Sequence, residues 1–153
     1  MKNIIEVQNI TKYFDDLTAL DDLSLKVCDG EIYGLLGSNG AGKSTTINIL
    51  LGFLQPEMGK ATINGIDAVT NSHQSRKYIG YIPENVSLYG YLSGVENLDY
   101  FCKLAGKSHT EDQLRELLRE SGLDDEAHNK RIKTYSKGMR QKVGIAIALA
   151  KKA

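Results

Sequence analysis

Apolar and polar residues alternate over residues 3–9 (Asn, Ile, Ile, Glu, Val, Gln, Asn) and again over residues 23–27 (Leu, Ser, Leu, Lys, Val). This is the period of two that a half-buried strand requires. Residues 10–16 are read as a loop between them. Residues 31–36 (Glu, Ile, Tyr, Gly, Leu, Leu) are nearly continuously apolar, which predicts a strand buried on both faces. The period then changes. Residues 45–54 place Ile47, Leu50, Leu51 and Leu54 on one side of a helix that Pro56 ends. A short strand is predicted at residues 60–63, ahead of the hairpin cue Asn64-Gly65. A short helix follows at 71–78, then a second buried strand at 79–82 stopped by Pro83.

From residue 86 the pattern is helical. Ser93-x-x-Glu96 and Thr110-x-x-Gln113 are capping boxes, in which the hydroxyl and the carboxyl or amide side chain satisfy each other's backbone N–H groups. The first opens a helix with Val95, Leu98, Cys102 and Ala105 on one face. The second opens one with Leu114, Leu117 and Leu118 as its stripe and Gly122 as its stop. Ser136 is a third cap, before a helix carrying Met139, Val143, Ile145, Ile147 and Leu149. That helix has no terminator: the chain closes with Lys151-Lys152-Ala153, without Gly, Asn or Pro, which reads as a domain incomplete at its C-terminus.

Composition narrows the field little. The 153 residues are 41% hydrophobic and balance 19 basic against 19 acidic side chains. Such a chain has no general field for nucleic acid or an anionic membrane. No run approaches the length of a membrane span or a signal peptide, so a cytosolic chain is expected, with room for a membrane partner. Cys28 and Cys102 have no metal-ligand spacing and read as packing residues; His73, His109 and His128 read as surface residues.

The chemistry concentrates at Gly37, Ser38, Asn39, Gly40, Ala41, Gly42, Lys43, Ser44 and Thr45, a G-x-x-x-x-G-K-[ST] phosphate-binding loop between a predicted strand and a predicted helix. Glycines let the backbone bring N–H groups against an anion, and the helix start adds its dipole. Lys43 reaches β- and γ-phosphate oxygens, the Ser44 hydroxyl suits Mg²⁺, and Thr45 suits the α-phosphate. Nucleotide binding follows from this stretch alone.

Three segments in order carry a more specific resemblance: residues 37–45, then Ile79-Gly80-Tyr81-Ile82-Pro83-Glu84, then Tyr135-Ser136-Lys137-Gly138-Met139-Arg140-Gln141. Together they resemble the ATP-binding subunit of an ABC transporter over essentially the whole chain, and within that family the ABC-2-type exporters of drugs, antibiotics or polysaccharide-like cargo. The resemblance implies an α/β fold: a P-loop NTPase core (residues 1–84 and 135–153) with an antiparallel β subdomain, and an inserted helical subdomain (85–134). It implies ATP and Mg²⁺ as ligands. Phe14, with Tyr13 beside it, takes the place of the adenine-stacking aromatic. Glu84 stands where many members have glutamine, as a catalytic residue and Mg²⁺ ligand beside Lys43 and Ser44. Ser136, Lys137, Gly138 and Met139 take the signature position that faces the nucleotide of a partner subunit, with Lys137 in place of the usual glycine.

Further implications concern partners. A transmembrane permease, a second nucleotide-binding subunit (a homo-oligomer) and a place on the inner face of the cell membrane are expected, with no nucleic-acid partner. Leu88, Tyr89, Tyr91, Leu92 and Tyr100 belong to the surface that receives the permease. In this family a strand ending in Asp-Glu supplies the water-activating base after the last residue seen here. The 153 residues alone are therefore expected to bind Mg-ATP, to hydrolyse it poorly and to self-associate. A soluble ABC-type ATPase, a non-catalytic nucleotide-binding module and a small-molecule kinase are the weaker alternatives.

Overall fold

A computed structural model describes residues 2–152. They form two compact units that divide between Ile79 and Gly80. In the first, β1 (Asn3–Phe14), β2 (Leu17–Cys28), β3 (Met58–Ile63) and β4 (Ile66–Asp67) make an antiparallel sheet in the order β2-β1-β3-β4. Val7 pairs with Leu25 on one side and Ala61 on the other. Helix α1 (Lys43–Leu50) packs on the sheet. Val7, Ile10, Leu20, Ile49, Ala61, Ile63 and Ala68 form the core between them. Asn64 (φ 50°) and Gly65 (φ 79°) are both left-handed, the conformation that a two-residue turn needs to follow the strand twist. A short helix α2 (Ser72–Ser75) and a 3₁₀ turn (Arg76–Tyr78) complete this unit.

Several expectations need correction here. Residues 10–14 are strand, not loop: β1 runs on to Phe14 and turns tightly into β2. It does so through register shifts near Asn9 and Asp22, both left-handed, whose side chains hydrogen-bond at 2.7 Å. Such bulges hide a long strand from a strict alternation count. Residues 31–36 and 79–82 are not strands. Ile32 is fully exposed, and Leu36, Tyr81 and Ile82 are exposed too. An all-apolar strand is stabilised by ladder partners and layers on both faces, and neither segment has a paired strand among the described residues. On α1 the buried side is set by Thr46 and Ile49, with Leu51 just beyond, while Ile47 is exposed.

The second unit is helical. Helices α3 (Gly94–Leu104), α4 (Glu111–Glu120) and α5 (Lys137–Lys151) pack together, with 3₁₀ turns at Asp125–Ala127 and Ile132–Thr134. Both capping boxes form as predicted, Ser93 with Glu96 and Thr110 with Gln113. Leu98, Cys102, Leu114, Leu118, Ile132, Val143 and Ala146 belong to one apolar core. His128 is not a surface residue. It is fully buried, and its Nε2 lies 3.1 Å from the Leu123 carbonyl oxygen. The polar residues flanking it in sequence gave no hint that a 3₁₀ turn rotates its ring into the core. No helix among the described residues is long and apolar enough to cross a membrane.

Candidate nucleotide-binding site

Gly42 fixes the shape of the loop. It caps α1 at φ 83°, a left-handed conformation that costs any other residue about 1–2 kcal/mol. A Cβ there would lie 2.4 Å from Leu20 Cδ2 and 2.7 Å from the Ala19 carbonyl oxygen, so β2 presses directly on this position. Gly40, also left-handed at φ 86°, lets the chain turn back after Asn39, and the Ala41 N–H donates to the Ser38 carbonyl at 3.2 Å. A Cβ on Gly37 would stand 2.9 Å from Ala41 Cβ. The loop is therefore narrow where its pattern demands glycine.

Lys43 closes the ring. Its ammonium donates to the carbonyls of Gly37 and Ser38, at 2.6 Å each. Inside the first turn Thr46 turns inward, its hydroxyl donating to the Gly42 carbonyl at 2.9 Å. The Ser44 side chain is left on the exposed side and Thr45 is half-buried. No side chain caps α1 and no acidic residue stands in its first turn. Its leading N–H groups, which helix geometry leaves without intrahelical partners, thus have no built-in anion.

Tyr13 and Phe14 lie in the same unit, at the outer end of the β1–β2 hairpin. Both are over two-fifths exposed, and the Lys12 ammonium stands 5.3 Å from the Phe14 ring centroid. The Lys12–Glu57 ion pair (2.7 Å) and a Tyr13 N–H donated to Glu57 (3.0 Å) hold this end in place. Phe14 thus offers a ring to solvent from a stiff support.

The second unit gathers the other predicted residues around α5. Ser136 caps this helix, accepting the Met139 N–H at 3.2 Å, and Lys137, Gly138 and Met139 form its first turn. Lys137 Nζ lies 3.9 Å from the Glu84 carboxylate, both largely exposed. Gln141, one turn further along α5, donates its side-chain N–H to the Glu84 carbonyl at 3.3 Å. Tyr135 anchors the start of the motif from below. It is buried, its hydroxyl donates to the Ala127 carbonyl at 2.6 Å, and burial pushes its phenol above the ordinary value.

Asn97 is a supporting residue that periodicity alone did not single out. It is fully buried, and its amide both donates to the Tyr89 and Ser93 carbonyls and accepts the Tyr89 N–H. It therefore shapes the loop that carries Tyr89 and Tyr91, whose rings cluster with Tyr100 and Phe101. The sequence signal was available: an asparagine inside a helix, four residues after the cap Ser93, on the side of Leu98.

The oxygen donors suit Mg²⁺. That ion binds through one or two protein oxygens plus phosphate oxygens, so a cluster of carboxylates is not required. The described residues hold no group of three His, Cys, Asp or Glu placed for a metal, while the Ser44 hydroxyl and the Glu84 carboxylate are each open to solvent.

Residues 20–153 match the family described as ABC transporter. The ABC transporter ATP-binding protein YhcH of Bacillus subtilis is 41% identical over 149 residues, covering 97% of this chain and 48% of the relative. The bacitracin transport ATP-binding protein BcrA of Bacillus licheniformis is 38% identical, with 97% and 48% covered. Among solved structures, a dimeric ATP-binding cassette in a post-hydrolysis state bound to ADP and Pi superimposes with a TM-score of 0.81 at 26% identity, over 97% of this chain and 70% of that one. The α/β fold class expected from the sequence agrees with this likeness. The chain spans about half the length of the curated relatives it matches.

Proposed function

The chain belongs to the ABC transporter ATP-binding family, and from that premise we propose that it forms the Mg-ATP-binding part of a transporter ATPase. In the complete protein, ATP binding and hydrolysis drive export of a substrate through a membrane permease. The observation that carries this reading is the loop of residues 37–45: a left-handed glycine wedged against β2, an uncapped helix start and an inward-turned lysine. A polyanion meets N–H groups, a helix dipole and an ammonium there together.

The roles follow from the side chains. Backbone N–H groups of residues 38–45 cradle the phosphates and Lys43 neutralises the β- and γ-oxygens. Ser44 and Glu84 would each offer Mg²⁺ an oxygen ligand, and Phe14 stacks on the base. When bound, the ion would supply neutralisation of phosphate charge. Ser136, Lys137, Gly138 and Met139 meet the γ-phosphate held by a second copy. The dimeric cassette with ADP and Pi supports that pairing, and the name of the bacitracin transport relative supports transport of an antibiotic-like cargo. The exposed rings of Tyr89, Tyr91 and Tyr100 are the surface for the permease. The protein then works on the inner face of the membrane.

Lys43→Ala is the direct test. Titration calorimetry of the full-length protein with Mg-ATP is expected to show affinity falling about a hundredfold, as for loss of a charge-assisted phosphate contact. Unchanged affinity would refute the assignment.

A further inference from the structure

Three contacts join the start of α5 to the loop that carries Glu84. Gln141 holds the Glu84 carbonyl at 3.3 Å, and Lys137 faces the Glu84 carboxylate at 3.9 Å. One turn beyond Gln141, Gly144 is buried under the same loop. A Cβ on it would come within 2.8 Å of Val86 Cγ2 and 3.6 Å of Ile82 Cγ2. The glycine is right-handed helical, so no backbone conformation calls for it; the close approach of the loop does. Residues 137, 141 and 144 lie on one face of α5, at spacings of four and three. The helix therefore devotes that face to residues 82–86.

We propose that Gln141 and Gly144 are positioning residues that latch the Glu84 loop to α5, so that capture of a phosphate at the helix start and placement of Glu84 are one event. The inference rests on the nucleotide-binding reading above and adds a coupling to it. Lys137 sharpens the event. Among the described residues its ammonium pairs with the Glu84 carboxylate, and a γ-phosphate arriving at the helix start competes for it. Glu84 is then released from the ion pair while Gln141 and Gly144 still hold its backbone against the helix. A carboxylate set free on a fixed backbone is a suitable Mg²⁺ ligand; on a loose loop its ordering would cost conformational entropy at the moment of binding.

The test uses the full-length protein with Mg²⁺ and a non-hydrolysable ATP analogue, following amide hydrogen exchange in residues 84–88 and 136–141, with ATP turnover measured in parallel. In the unaltered protein both segments are expected to gain protection together. In Gln141→Ala, protection remains at 136–141 but is lost at 84–88. Turnover falls about three- to tenfold, the range for one hydrogen bond, while the melting temperature is unchanged. Gly144→Ala gives the same separation, and adding Val86→Ala, which makes room for the new methyl group, restores it. A merely structural role would not separate the two segments. The latch is overturned if they still respond together in Gln141→Ala with turnover unchanged. If the unaltered protein shows no protection and no heat with Mg-ATP, the nucleotide-binding reading falls and takes the latch with it.

Discussion

Helices α3 and α4 begin differently from α1 and α5. The first pair are closed systems. Ser93 and Thr110 cap them, Glu96 and Gln113 reach back, and acidic residues (Glu96; Glu111 and Asp112) sit in their first turns against the positive end of the dipole. The second pair carry no acid in the first turn; α5 has a hydroxyl cap and α1 has no side-chain cap. A helix whose only task is to fold gains from an anion of its own. One that must receive an anion leaves the place to the ligand. Among these four helices, the sites proposed for phosphate fall at the second kind of start.

The comparison breaks most severely at Gly42. Gly42→Ala places a methyl group against Leu20 and the Ala19 carbonyl in a left-handed conformation. Stability of the first unit is expected to fall by about 3 kcal/mol or more, read as a shift of the urea midpoint. An unchanged midpoint would mean that the loop shape is not set by β2. The next largest effect sits at α5. Ser136→Ala should cost about 1 kcal/mol by loss of the cap. Ser136→Asp should restore the stability yet weaken Mg-ATP-dependent pairing, because its carboxylate occupies the place of the phosphate; light scattering with the nucleotide analogue reads this. The smallest effect is acid sensitivity at α3. The Ser93 backbone N–H, and then its hydroxyl, hold the Glu96 carboxyl below its ordinary value. Its stabilising contribution is therefore complete above the ordinary carboxylate range and is lost as pH falls through the lowered value. Hydrogen exchange at the first turn of α3 should quicken there, and in Glu96→Gln this acid limb should vanish. No such limb is expected at α5, which has no titrating cap.

The features legible in the sequence were those fixed within a few residues. The two capping boxes, the Asn64-Gly65 turn, the glycine loop and the Ser136 cap each depend on local backbone chemistry, and each stands where it was read. What failed depends on distant partners. Residues 31–36 and 79–82 have the composition of buried strands, yet burial is conferred by neighbours rather than by the segment itself. His128 was misplaced for the opposite reason, since its polar flanks said nothing of the core it enters. Gln141 and Gly144 were readable as helix positions but not as contacts of Glu84, 57 residues away from Gln141. Sheet topology was half visible: parts of β1, β2 and β3 were read, but the first half of β2, the short β4 and the bulges that extend β1 to Phe14 were not.

Lys43 has company within its own loop, because its ammonium is shared by the two carbonyl oxygens of Gly37 and Ser38. Recruitment of that cation is accordingly a trade, and only a newcomer that outbids a pair of amide dipoles will complete it. Polyphosphate tails qualify by virtue of concentrated negative charge. Nucleosides bring no such charge, and their monophosphates, with about two negative charges at neutral pH, bring less than a triphosphate, so both are expected to compete poorly for the same ammonium.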